Sequence, residues 1–240
     1  MEQKQLLNCA LELWRGQGDD LNAARTLANL SDANRMMGLY EEGVEQAEEA
    51  SRVFERLDDP ARQAECLASL ALLLQYDKQL DAAEETALRA IDLLPEKSEQ
   101  TTVYKCHCVL GVIYRSKGET EKVVRHYEIA LGIASALNDA DFLFWVHHDL
   151  ADLFIKQGRF SDAQTHAKHA RSFVVNNTLV PVYASLLQVE LWCEQDMFGE
   201  ARAEALVALD AVEKLGSAEY IKAVRRTLRK IDARASAYRW

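Results

Sequence analysis

The sequence predicts an all-α protein: a right-handed superhelical solenoid of antiparallel helix pairs, closed by a C-terminal capping helix. Three observations carry this. The chain holds only 10 Gly and 3 Pro in 240 residues, too few turn-formers for a strand-rich fold. It is 49% hydrophobic and 28% charged, the balance of a packed protein rather than a disordered one. It also repeats itself every 40 residues. Ala10, Ala50, Ala90, Ala130 and Ala170 form one series, and Ser31, Ala71, Gly111 and Ala151 a second. Leu30, Leu70, Leu110 and Leu150 form a third, and Asp19, Asp59, Glu99 and Asp139 a fourth. A fixed period in this range marks stacked supersecondary units, each completing its core only against its neighbours.

Each unit reads as two helices. The acidic residue of the fourth series stands just before the first helix, where a carboxylate caps the orphan N–H groups. Pro60 after Asp59 fits the first helical turn, where its missing N–H costs nothing. The small residues Ser31, Ala71, Gly111 and Ala151 let the two helices approach closely. Gly38, Gly118 and Gly158 end first helices, since glycine takes a left-handed backbone without a Cβ clash. Tyr40, Leu80 and Phe160 then open second helices, and the alanine series packs each against the next pair.

In chain order this gives a half repeat at 1–18 and full repeats at 21–58, 61–98, 101–138 and 141–177. A divergent repeat follows at 180–216, then a capping helix at 217–237. In the divergent unit the period falls to 38 (Ala170 to Ala208) and Val189 stands where a small residue is expected, which puts close helix packing there in question. The capping helix is basic, with Lys222, Arg225, Arg226, Arg229, Lys230, Arg234 and Arg239. Such a helix either docks on an acidic partner or presents a solvated face.

The net charge of −10 argues against nucleic acid as the main ligand. No run of apolar residues is long enough for a membrane span, and MEQKQLLNCA lacks a secretory core. Cys9, Cys66, Cys106, Cys108 and Cys193 are odd in number and lie mostly in apolar helical patterns. They read as reduced thiols of a cytoplasmic protein.

Small residue, glycine turn, aromatic and alanines at these spacings resemble the tetratricopeptide repeat, in a long variant of about 40 residues rather than 34. The segment LWCEQDMFGEARAEALVALDAVEKLGSAEYIKAVRRTLRKID further resembles the C-terminal end of repeat arrays in fungal NACHT-type, NLR-like nucleotide-binding receptors. That resemblance implies a partner-sensing arm carried behind a nucleotide switch. No GxxxxGK[ST] phosphate loop occurs in this chain, so the switch would lie elsewhere. The first helix matches the register of a second helix, whose partner would precede Met1; alternatively it is simply the N-terminal cap.

The tetratricopeptide resemblance implies that first helices line a concave face holding a protein or peptide. Carried over by position, the lining is Arg25, Asn29, Asp32 and Arg35, with Ala28 between them. Next come Ser69, Leu72 and Gln75 beside Glu65 and Ala68, then Lys105, Val109, Val112 and Arg115. Trp145, His148, Asp149 and Asp152 follow, and the divergent unit adds Tyr183, Leu187 and Glu190. The early part is basic, the middle apolar, and the late part aromatic and acidic. The expected ligand is a peptide with an apolar centre, acidic at one end and basic at the other. The carboxylate clamp of chaperone-tail receptors is matched only by Asn29, with Asp32 and Ala68 where cations or amides belong.

Enzymatic chemistry finds little foothold. No GxSxG, HExxH or dinucleotide glycine fingerprint appears, so no cofactor is expected. Asp149 and Asp152 form a carboxylate pair without a nucleophile or enclosing loop. Cys106, His107, Cys108, His147 and His148 cluster in sequence, but helical neighbours point about 100° apart and do not chelate together. His107 and His147 are equivalent positions, as are His126 and His166, which repeat duplication explains. His166 and His169 are expected on the surface. The expected function is non-enzymatic binding, as a receptor's sensing arm, a free-standing adaptor between two proteins, or a peptide-responsive regulatory module.

Overall fold

The computed structural model describes residues 2–94, 99–174 and 179–237. The final residues of the repeats expected at 61–98 and 141–177 lie outside these, as does Arg239. The described residues form twelve α-helices and no strand, and the chain divides into two compact units, Met1–Ile133 and Ala134–Trp240.

The first unit contains α1 (Glu2–Gln17), α2 (Asp20–Met36), α3 (Tyr40–Arg56), α4 (Pro60–Tyr76), α5 (Leu80–Asp92), α6 (Gln100–Lys117) and most of α7 (Thr120–Leu137). The short turns that join α1 through α5, and the one between α6 and α7, reverse the chain, so the helices on either side of each are antiparallel. The Asp19 and Asp59 carboxylates each accept the backbone N–H three residues on, from Asn22 and Arg62, both at 3.0 Å. Each such cap contributes about 1 kcal/mol, and Pro60 occupies the first helical turn of α4. Glu99 departs from expectation: its backbone is left-handed (φ 45°) and its side chain accepts no capping bond. Gly38 and Gly118 are left-handed, but the same turn between α4 and α5 uses Lys78 at φ 67°.

The core of this unit runs through the repeat series. Leu27, Leu30, Ala50, Phe54 and Cys66 are buried together with Leu11, and Leu7 and Trp14 pack on them from α1. The other face of α1 is bare, with Leu6 and Leu13 67% and 63% exposed. Where three hairpins have a buried alanine, at Ala47, Ala87 and Ala167, the α6–α7 pair has Tyr127, fully buried against Gly111.

The second unit contains α8 (Ala140–Lys156), α9 (Phe160–Ser172), α10 (Val180–Glu194), α11 (Phe198–Leu215) and α12 (Ala218–Ala237). Asp139 caps α8 through the Phe142 N–H at 2.9 Å, and left-handed Gly158 turns the chain into α9. Val189 does not prevent packing: it is buried with Ala201, Ala205 and Ile231. The α12 helix buries Val224 and Ile231. Part of its positive charge ties it down, through Arg225–Glu213 at 2.8 Å and Arg234–Glu194 at 3.0 Å. No described helix is long and apolar enough to cross a membrane.

Candidate functional site

In the first unit, α2 and α4 are parallel, because α3 lies antiparallel between them in sequence. Residues 40 apart therefore stand at the same level on neighbouring helices. A cleft of about 260 Å³ opens there, lined by Arg25, Ala28, Asn29 and Asp32 of α2 and by Arg62, Glu65, Cys66 and Ser69 of α4, with Phe54 of α3. Six of the expected lining residues, Arg25, Ala28, Asn29, Asp32, Glu65 and Ser69, thus meet in one place. Arg62 was not among them; its guanidinium donates to Asp59 Oδ2 at 2.5 Å and lies 5.9 Å from the Phe54 ring centre. Its signal in the sequence was position, three residues after a capping Asp. Asp32 is 3.4 Å from Arg35. Burial, helped by Glu65, Asp32 and Asp59, pushes the Cys66 thiol up to about 12, so it stays protonated and unreactive at neutral pH.

Further along this unit, Leu72, Lys105, Val112 and Arg115 reach the surface wholly or in part. Val109 and Gln75 are corrections to the expected lining: both are buried, because they share their helix faces with core residues one turn away.

The second unit gathers its own expected residues into an aromatic and acidic cluster. The rings of Trp145 and Tyr183 lie edge to face with centres 5.1 Å apart, and Trp145 meets His148 at 5.7 Å. The hydroxyls of Tyr183 and Tyr220 hydrogen-bond at 2.9 Å. Trp145 keeps 37% of its surface exposed. Asp152 holds Lys156 at 2.7 Å, and Asp149 lies 3.4 Å from His148 Nδ1. Desolvation, followed by the neighbouring Asp152, raises the pKa of Glu190. Leu187 is the correction in this unit: it is buried in the core. Aromatic faces beside carboxylates suit cationic groups. A larger cleft of about 650 Å³, beside the start of α11 and the end of α12, contains none of the expected residues.

Four of the six histidines form two pairs. His107 Nδ1 lies 2.8 Å from His126 Nδ1, and His147 Nδ1 lies 2.9 Å from His166 Nδ1. One ring donates its N–H to the lone pair of the other. His169, exposed, stacks on His147 at 5.0 Å, and His166 is half-buried rather than on the surface. Among the described residues, no group of three or more His, Cys, Asp or Glu is placed to hold a metal ion.

No protein-family model matches the sequence. A curated relative, the transcriptional activator NprA of Geobacillus stearothermophilus, is 28% identical over 85 residues, covering 35% of this chain and 21% of that protein. The chain spans about a fifth of the curated relative it matches. Among solved structures it resembles BtubC of P. vanneervenii, with TM-score 0.74, 18% identity and coverage of 90% and 92% of the two chains. A Rap protein complexed with competence and sporulation factor gives TM-score 0.62 at 12% identity, covering 95% of this chain and 74% of that one. A tetratricopeptide repeat protein of Parabacteroides merdae gives 0.53 at 13% identity, covering 96% and 99%. The fold is of the tetratricopeptide-repeat class. At these identities the likeness is one of tetratricopeptide architecture, and the cleft and the aromatic cluster are features of this chain's own side chains.

Proposed function

We propose that this chain is a protein- or peptide-binding module of a ligand-responsive cytoplasmic regulator, acting without catalysis and holding its partner on the inner helices of its repeats. The observation that carries this is the cleft shared by Arg25, Asn29, Asp32 and Ser69. Side chains from separate, parallel helices open to one space there, as a surface that reads a chain laid across it requires. The Rap structure with its bound factor and the transcriptional activator NprA support a regulatory reading. The extent of the array, 1–240 with the repeat boundaries given above, is part of the proposal. Rigid helices present these groups preformed, so the partner supplies most of the ordering entropy.

A second reading, the sensing arm of a nucleotide-switch receptor, rests on the C-terminal segment alone, and the relatives named above give it no support. A photo-crosslinking amino acid at Asn29 or Trp145, with exposed Glu128 of α7 as control, tests the proposal in cells. The expected result is an adduct of peptide mass from the inner positions and none from the control. A single adduct of protein mass favours the adaptor, and equal labelling at all three positions removes the reading.

A further inference from the structure

The helices α2, α4 and α6 of the first unit run in one direction, each separated in sequence from the next by one antiparallel helix. The 40-residue period therefore sets Arg25, Glu65 and Lys105 at one level on three successive helices. All three are exposed, and among the described residues none is tied up in an ion pair or side-chain hydrogen bond. Elsewhere in this unit charged side chains pair between helices, as in Lys4–Glu42 and Lys117–Asp81, both at 2.7 Å. The positive, negative, positive series is thus left unneutralised. One turn further along, Asn29 stands beside Ser69, and both line the cleft between α2 and α4.

Packed helices lie roughly 8–10 Å apart, and an extended chain rises about 3.3 Å per residue. About three peptide residues therefore carry a chain from one helix to the next. We propose that α2, α4 and α6 read an extended peptide segment whose charges alternate at every third residue, acidic, basic, acidic, against Arg25, Glu65 and Lys105. The pattern is the same in either chain direction, so it fixes register rather than polarity. Asn29 and Ser69 donate to, and accept from, the peptide amides between the first two charges. The apolar Phe54 ring and Ala28 floor the cleft beneath them. This inference rests on the peptide-binding reading above and names the class of peptide.

The test is selection of a randomised heptapeptide display library on the full chain, followed by affinity measurement of the winners as synthetic peptides. The expected winners carry Asp or Glu at the first and seventh positions and Lys or Arg at the fourth. Their affinity falls at least tenfold on Glu65→Lys and returns when the fourth residue is made acidic. The exposed triple variant Arg25→Glu, Glu65→Lys, Lys105→Glu, checked for native helicity, selects the inverse pattern. Winners without alternation, or with unchanged affinity for the Glu65→Lys variant, overturn the charge ladder and leave the peptide-binding reading standing. No enrichment at all overturns both.

Discussion

A Cβ placed on Gly111 would lie 2.5 Å from Cε1 of Tyr127, a ring that is fully buried. The two residues have exchanged volume. The equivalent positions elsewhere are Ser31 and Ala47, Ala71 and Ala87, and Ala151 and Ala167, small buried residues at both places. Gly111→Ala alone should destabilise by about 1–3 kcal/mol, the usual range for overpacking. Tyr127→Ala alone should cost about 3–5 kcal/mol through the cavity it leaves. In the Tyr127→Ala background the sign of Gly111→Ala should reverse, because the clash is gone and alanine favours helix by roughly 0.5–1 kcal/mol. Urea denaturation of the four proteins decides it. Additive losses would mean that the two residues do not share this space.

Lys78 is the exposed residue that the α4–α5 turn places in the left-handed region, at φ 67°, where the corresponding turns use Gly38, Gly118 and Gly158. Its Cβ bears a steric cost there that glycine escapes, of order 1 kcal/mol. Lys78→Gly should raise stability by about 0.5–1 kcal/mol, less the entropy glycine adds to the unfolded chain. A lowered melting temperature would show that the lysine makes up for its backbone elsewhere.

The sequence made the helices legible because the same signals recur where only one conformation suits them. Asp19, Asp59 and Asp139 cap at three of the four equivalent positions, and Tyr40, Leu80 and Phe160 each open a helix. Glu99 shows where periodicity stops being informative: it holds the acidic position, yet its backbone is left-handed and its side chain accepts no capping bond. The candidate surface was legible to the level of helix face. Arg25, Asn29, Asp32 and Ser69 share a cleft as their register required, whereas Val109, Gln75 and Leu187 fell on the buried side of the boundary. A helix face is about 100° wide, so residues at its edge are assigned by packing. The histidine pairing was hidden for another reason: it depends on which rotamers meet across a hairpin, and sequence spacing does not encode that.

Thiol reactivity should divide by depth. Burial pushes Cys66 and Cys106 up to about 12, while Cys9 is exposed on α1. Iodoacetamide at pH 7.5 should label Cys9 within minutes and leave Cys66 and Cys106 unmodified until denaturant is added. Mass spectrometry of tryptic peptides measures this. Rapid labelling of Cys66 in the native protein would mean that α4 opens to solvent far more often than its packing allows.

Acid should loosen two hairpins before the rest. Burial, then the neighbouring His126 and Arg125, bring His107 down to about 4, and burial, then His166 and His169, bring His147 to about 4. Both partners, His126 and His166, are lowered as well. The groups facing the first pair are Glu84, Lys122 and Arg125; those facing the second are His169, Asp162 and Arg159. An unfolded histidine titrates near 6.5, so above that pH neither state is protonated and stability is at its full value. As pH falls from about 6.5 toward 4, the unfolded chain binds protons that the folded pairs refuse, and stability declines. Two protonated rings also have no lone pair left for their Nδ1 contact. The α4–α5 hairpin places Leu67 and Thr86 at the equivalent positions, which supplies a substitution with a precedent in the same chain. His107→Leu with His126→Thr should flatten the fall in melting temperature between pH 6.5 and 4.5, and the same exchange at His147 and His166 should flatten it further. An unchanged pH profile in both variants would place the acid sensitivity in the carboxylates instead.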